Sequence, residues 1–320
     1  MKKMKINFNE IILMLFLALT SLLLLTNCSD DDHEDQRSLD DRLIQEYLDE
    51  KGIEAEKGSA GFYYSVLESN DSGNQVKEND ILSVYYKMSL LNGNEVAEVP
   101  RTSENPKKFK VMDSSLIPKG LRLGSALMKE GETFRFYIPS HLAYGYYSYA
   151  NKIPSNAILI VECELAKIEK EDDQKSLEKT LVETYITDEE ITDIEEMSAG
   201  IYYKLNDPGE GEMPKKSDAV KIKFVGKYLD GTVFDETTGS RTFSFTIGNE
   251  SVIEGLEEGI KLMQEGEKAS FIIPSHLAYD SSLQVFPEEV REDLLDNNLI
   301  TQEIPPFSIL IFDVELVEIN

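Results

Sequence analysis

The hexapeptide PSHLAY stands at residues 139–144 and again, unchanged, at 274–279, so one unit is written twice in this chain of 320 residues. A repeat of this kind decides the architecture before any single element is assigned. Working outward, SAGFYY at 59–64 returns as SAGIYY at 198–203, in the same order relative to the hexapeptide. An acidic segment with helical spacing precedes each: LIQEYLDEKGI at 43–53 and LVETYITDEEITDI at 181–194. The plan is helix, unit, helix, unit.

Inside a unit the apolar period is two, which marks half-buried strands. The first unit has FYYSVL, ILSVYYKMSLL, KKFKVM, ETFRFYIP and AILIVECELAKI; the second has IYYKL, VKIKFVGKYL, TFSFTI, KASFIIP and SILIFDVELVEI. Between the third and fourth strands comes one helical pattern, LIPKGLRLGSALM or VIEGLEEGIKLM, followed by a turn at Gly131 or Gly266. Asn92-Gly93 and Asp230-Gly231 are hairpin signals. The predicted class is α+β: two domains, each an antiparallel sheet wrapped on a short helix, joined by a helical linker. The boundaries are 1–27 for a signal peptide, 28–57 for an acidic tether with a short helix on Leu43, Ile44, Tyr47 and Leu48, 58–169 for the first domain, 170–196 for the linker and 197–320 for the second domain.

Sixty acidic against thirty-two basic side chains give a net charge of -28, which repels phosphate backbones. Nucleic acid is excluded as a partner. Two cysteines and three scattered histidines offer neither a disulfide framework nor a metal cluster, and no cofactor is expected. At the N-terminus Lys2, Lys3 and Lys5 precede an apolar run from Ile11 to Leu25, the order of a secretory signal. LLTNC at 24–28 resembles a bacterial lipobox, which implies acylation of Cys28, with SDDD behind it as an export tag. Removing residues 1–27 leaves 29 basic and 59 acidic groups, a net of -30. The expected location is the bacterial envelope, held at a membrane only by acyl chains that contribute roughly 0.8 kcal/mol per buried methylene.

The string FVGKYLDGTVFDETTGSRTFSFTIGNESVIEGLEEGIKLMQEGEKASFIIPSHLAY at 224–279, closed by IPPFSILIFDVEL at 304–316, resembles an FKBP-type peptidyl-prolyl cis-trans isomerase domain along nearly its whole length. LLNGNEV, LIPKGL, KEGETFRFYIPSHLAYG and IPSNAILIVECEL carry a weaker resemblance in the first unit. The resemblance implies an aromatic pocket in the second domain, with Asp235, Phe234, Tyr279 and Phe312 as catalytic residues and Phe224, Phe243, Val252, Ile253, Leu256 and Ile304 contacting substrate. Tyr279 and the Ile253 N–H would bond ligand carbonyls, Leu256 would lie under the proline ring, and Asp235 would face the twisted amide. Phe224 replaces a tyrosine usual in the family, and Asp280 a glycine.

The first domain keeps Tyr86, Phe109, Leu116, Ile117, Leu121, Tyr144 and Ile153, but has Val96-Ala97 for Phe-Asp and Val161 for Phe. Little turnover is expected there. A segment inserted after Tyr279, SSLQVFPEEVREDLLDNN at 281–298, is expected to form a helix at the rim of the second pocket and to gate or block it. His141 and His276 read as parts of a structural turn, and Cys163 as a small buried hydrophobe. The function implied is isomerisation of proline-containing unfolded or partly folded envelope proteins, without a metal. The reading from another class is a non-catalytic chaperone or protein-binding lipoprotein using degenerate domains.

Overall fold

A computed structural model of the protein describes residues 35–320. The leader and Cys28 lie outside the described residues. Asp40–Asn320 form one compact unit.

Helix α1 (Gln36–Lys51) is followed by strands β1 (Glu56–Lys57), β2 (Tyr63–Glu68), β3 (Ile81–Leu90), β4 (Glu95–Val99), β5 (Lys107–Lys110) and β6 (Leu116–Ile117). Helix α2 (Lys119–Ser125), β7 (Thr133–Ile138) and β8 (Leu159–Glu169) complete the first domain. Its sheet runs β1-β2-β7-β8-β3-β4, with β5 also paired to β3, and the pairings are antiparallel.

After helix α3 (Glu171–Asp188) the plan repeats as β9 (Ile194–Glu196), β10 (Tyr202–Asp207), β11 (Ala219–Tyr228), β12 (Val233–Glu236), β13 (Phe243–Thr246), α4 (Glu254–Lys261) and β14 (Lys268–Ile273). The insertion holds β15 (Gln284–Val285) and α5 (Arg291–Asp296), and β16 (Leu310–Ile319) closes the domain. The second sheet, β9-β10-β14-β16-β11-β12 with β13 on β11, has the same topology as the first.

The helices α2 and α4 lie against their sheets through glycine. A Cβ on Gly124 would stand 2.4 Å from the Phe136 ring, and one on Gly259 2.6 Å from Phe271. At Gly93 and Gly231 the positive φ values of 89° and 83° meet the hairpin expectation, since a side chain there is strained.

The tether expectation needs correcting at its C-terminal half. Ile44 and Leu48 of α1 are buried with Tyr63, Tyr137 and Ile160 of the first sheet and with Ile158 just before β8. Apolar residues at helical spacing find a face and pack on it. On the second sheet Val182 of α3 packs in the same way with Tyr202, Ile272, Ile309 and Ile311.

Both hexapeptides form a 3-10 turn, Ser140–Leu142 and Ser275–Leu277, and each turn is held by the preceding helix. Asp40 accepts from the Ser140 N–H at 2.8 Å and hydroxyl at 2.6 Å; Glu178 accepts from the Ser275 N–H and hydroxyl at the same two distances. The serine, more than the histidine, explains the repeated motif. Cys163 is fully buried on β8, and burial pushes its thiol up to about 12.

Candidate active site

The site in the second domain starts from an irregularity in a strand pair. Along β11 and β12, Gly226 faces Asp235 and Lys227 faces Val233, so Phe234 is the extra residue of a β-bulge. A bulge re-aims its side chain. The Phe234 ring crosses Gly226 so closely that a Cβ there would sit 2.6 Å from it. On its other side Gly226 faces Phe312 of β16. The Phe234 and Phe312 rings meet edge to face at 5.6 Å, Phe224 lies 5.7 Å from Phe312, and Phe243 lies 6.0 Å from Phe224. Four aromatic residues from four strands thus adjoin one another.

Beside them opens a cleft of about 270 Å³ lined by Phe234, Asp235, Tyr279, Ser282, Thr301, Gln302, Glu303 and Ile304. That lies just below the roughly 300–1,000 Å³ of small-ligand pockets. Of the predicted residues, Phe234, Asp235, Tyr279 and Ile304 line the cleft itself. Phe312 and Leu256 are buried in the core next to it, with Phe224, Val252 and Ile253 partly buried against that core and Phe243 40% exposed. Ile253 is the extended residue immediately before α4. Burial, and after it the Asp235 carboxylate, raises the Tyr279 hydroxyl above its ordinary value. It is therefore a protonated donor at neutral pH.

Sequence reasoning missed Ser282, Thr301, Gln302 and Glu303. They stand at the two roots of the insertion, where the Ser282 hydroxyl donates to the Ile304 carbonyl at 2.7 Å and the Phe307 N–H to the Asp280 carbonyl at 2.8 Å. The signal was available, since an insertion that leaves after Tyr279 and returns before Pro305 must begin and end beside the cleft. Asp280 takes φ 46°, as Gly145 takes φ 59° in the first domain, and both amides donate to the serine carbonyl of the hexapeptide.

The pocket of the first domain has the expected departures in matching register. Met88 faces Ala97 across β4 and Val161 across β8, as Gly226 faces Asp235 and Phe312. Val96 is the bulged residue that corresponds to Phe234. Tyr86, Phe109, Leu116, Leu121, Tyr144 and Ile153 are buried together with Ile117 packed on them.

The same apolar cluster contains Leu283, Val285, Phe286, Val290, Leu294 and Ile300 of the insertion. This changes the expectation for that segment. Its helix forms, as α5, but its apolar side packs into the first domain instead of covering the second cleft. Phe286 is fully buried, stacked on Tyr86 at 4.9 Å and edge-on to Phe109 at 6.1 Å. The domain with valines at the places of Phe234 and Phe312 is the one that takes up a foreign ring.

A family model described as FKBP-type peptidyl-prolyl cis-trans isomerase matches residues 72–166 and 210–317. The chain is 37% identical over 126 residues to a probable FKBP-type peptidyl-prolyl cis-trans isomerase FkpA of Neisseria meningitidis, covering 38% of this chain and 39% of that protein. It is 39% identical over 127 residues to FK506-binding protein 3 of Dictyostelium discoideum, covering 38% of this chain and 57% of that one. It is 34% identical over 124 residues to FkpA of Escherichia coli, covering 38% and 39%. The chain thus spans less than two thirds of the length of these relatives.

Proposed function

Because the chain belongs to the FKBP-type peptidyl-prolyl cis-trans isomerase family, we propose that the second domain isomerises X-Pro bonds in the cleft at Phe234, Asp235 and Tyr279. An X-Pro amide rotates over a barrier of roughly 18–20 kcal/mol because resonance stiffens its C–N bond, while its two isomers differ by only ~0.5–1 kcal/mol. The catalyst has to weaken that resonance. An aromatic wall that excludes water disfavours the dipolar resonance form, and fixed hydrogen bonds hold the twisted amide. No covalent intermediate is required.

Three features support this reading. Phe234, set on its bulge and backed by Phe312, provides the apolar wall. The Tyr279 hydroxyl is the donor for a substrate carbonyl, and Asp235, exposed on the same lip, faces the amide as it twists. The substrates in this reading are proline-containing segments of unfolded or partly folded proteins. The observation that carries it is the joint presence of Phe234, Asp235, Tyr279 and Ile304 around one cleft.

The test is prolyl-peptide relaxation catalysed by the full chain. Phe234→Ala with Asp235→Ala is expected to lower the rate by at least about tenfold, since one to a few kcal/mol of transition-state stabilisation is removed. Unchanged turnover in the double variant would exclude this cleft. For the envelope setting, acylation of Cys28 is the proposed anchor. Cys28→Ala is expected to move the protein from the membrane fraction to the soluble one, and retention at the membrane would reject lipidation.

A further inference from the structure

We propose that the pocket of the first domain is a binding site for a peptide of the pattern Val-Phe-Pro-Glu-Glu, and that residues 285–289 of this same chain are its intramolecular ligand. This goes beyond the reaction assigned to the second cleft and does not depend on it.

Val285, Phe286, Glu288 and Glu289 each meet a part of the first domain. Its backbone adds to the domain as a strand, β15 lying parallel to β6. The Gln284 N–H donates to the Ser115 carbonyl and the Phe286 N–H to the Ile117 carbonyl, both at 2.8 Å. Strand addition of this kind supplies affinity through the main chain and leaves specificity to the side-chain pockets. The one pocket here takes an aromatic ring, Phe286 between Tyr86 and Phe109. The Tyr144 hydroxyl donates to the carbonyl of Phe286, which belongs to the Phe-Pro amide itself. Burial raises that hydroxyl well above its ordinary value, so the donor stays protonated.

The two glutamates that follow Pro287 meet lysines of the first domain, Glu288 with Lys107 and Glu289 with Lys152, each at 2.6 Å. Further along, Tyr147 donates to Asp293 at 2.5 Å. In a chain of net charge -28 this basic lip is a local exception. Such exposed pairs select the sign and register of a ligand more than they add affinity. With its site filled, the first domain acts as a receptor that clasps the second domain and turns over no prolyl substrate.

The experiment measures binding of a fluorescent peptide copying residues 281–293 to the full chain. In the wild type the tethered segment competes at an effective concentration on the order of mM, so little binding is expected. Phe286→Asp places a carboxylate where the ring was buried and frees the site. Peptide affinity should then rise by at least ~10-fold. Adding Tyr144→Phe should weaken it by roughly 2- to 12-fold, the loss of one hydrogen bond. Adding Phe234→Ala should leave it unchanged, which separates this site from the second cleft.

The proposal is overturned by equal affinity in wild type and Phe286→Asp, by loss of binding when Phe234→Ala is added to Phe286→Asp, or by no binding to a Phe286→Asp variant with native circular dichroism. Should Phe286→Asp not fold, amide exchange in the wild type decides. The Gln284 and Phe286 amides are expected to be protected, and Lys107→Glu with Lys152→Glu to speed their exchange while β14 is unaffected. Exchange of those two amides at open-loop rates in the wild type rejects the assignment.

Discussion

At the scale of single residues, the two domains differ by an exchange of bulk across one strand pair. Where the second has Gly226 beneath the ring of Phe234, the first has Met88 beside the smaller Val96. Phe312 and Asp235 have Val161 and Ala97 as their counterparts. Val96, Ala97 and Val161 were legible in the sequence as departures from the pattern of the family it resembles. The reason for Gly226 was not, because a glycine in a strand shows its purpose only when the ring crossing it is seen. Gly226→Ala is expected to cost about 1–3 kcal/mol through overpacking and to lower turnover by displacing Phe234. Urea unfolding checks the first effect, and Gly226→Ala combined with Phe234→Val should recover most of the stability but none of the activity.

At the scale of elements, each domain is completed by the helix that precedes it. α1 and α3 both bring a buried carboxylate to the serine of a hexapeptide turn, and these turns lead directly into Tyr144 and Tyr279. The plan of helix, unit, helix, unit was evident from the repeat. The bond from Glu178 to Ser275 spans 97 residues, and no local pattern announces a partner at that separation. Glu178→Ala strands two buried donors, and hydrogen bonds to a charged acceptor contribute roughly 1.5–3 kcal/mol. The expected result is a loss of about that size in unfolding free energy, with reduced activity of the second cleft because the turn before Tyr279 loosens. Full stability in this variant would show that the contact is dispensable.

At the scale of the whole molecule, one insertion serves both domains: its roots line the second cleft and its apolar middle fills the first pocket. Burial holds the hydroxyls of Tyr86 and Tyr144 above the ordinary tyrosine value, so the folded chain favours their neutral forms. A raised value means that this contribution is complete below pH about 10, where both folded and unfolded tyrosines are neutral. It is then lost as pH rises toward the folded value. Denaturation midpoints should therefore fall from about pH 10 upward in the wild type, and fall less steeply in Tyr144→Phe. An identical slope in the two proteins would remove Tyr144 from the clasp.

The sequence alone determined the duplication, the α+β class, the aromatic residues of the second unit and the valines that stand in place of two of them in the first, since each is written in local periodicity or in a comparison of the two units. Only the tertiary structure decided where the insertion goes. VFPEE at 285–289 reads from sequence as a short apolar and acidic stretch able to pack on any exposed greasy face. Its destination depends on which pocket has space for a ring. That is a difference in shape between two cores, set by valines against phenylalanines at distant positions, and it exists only after both domains have folded.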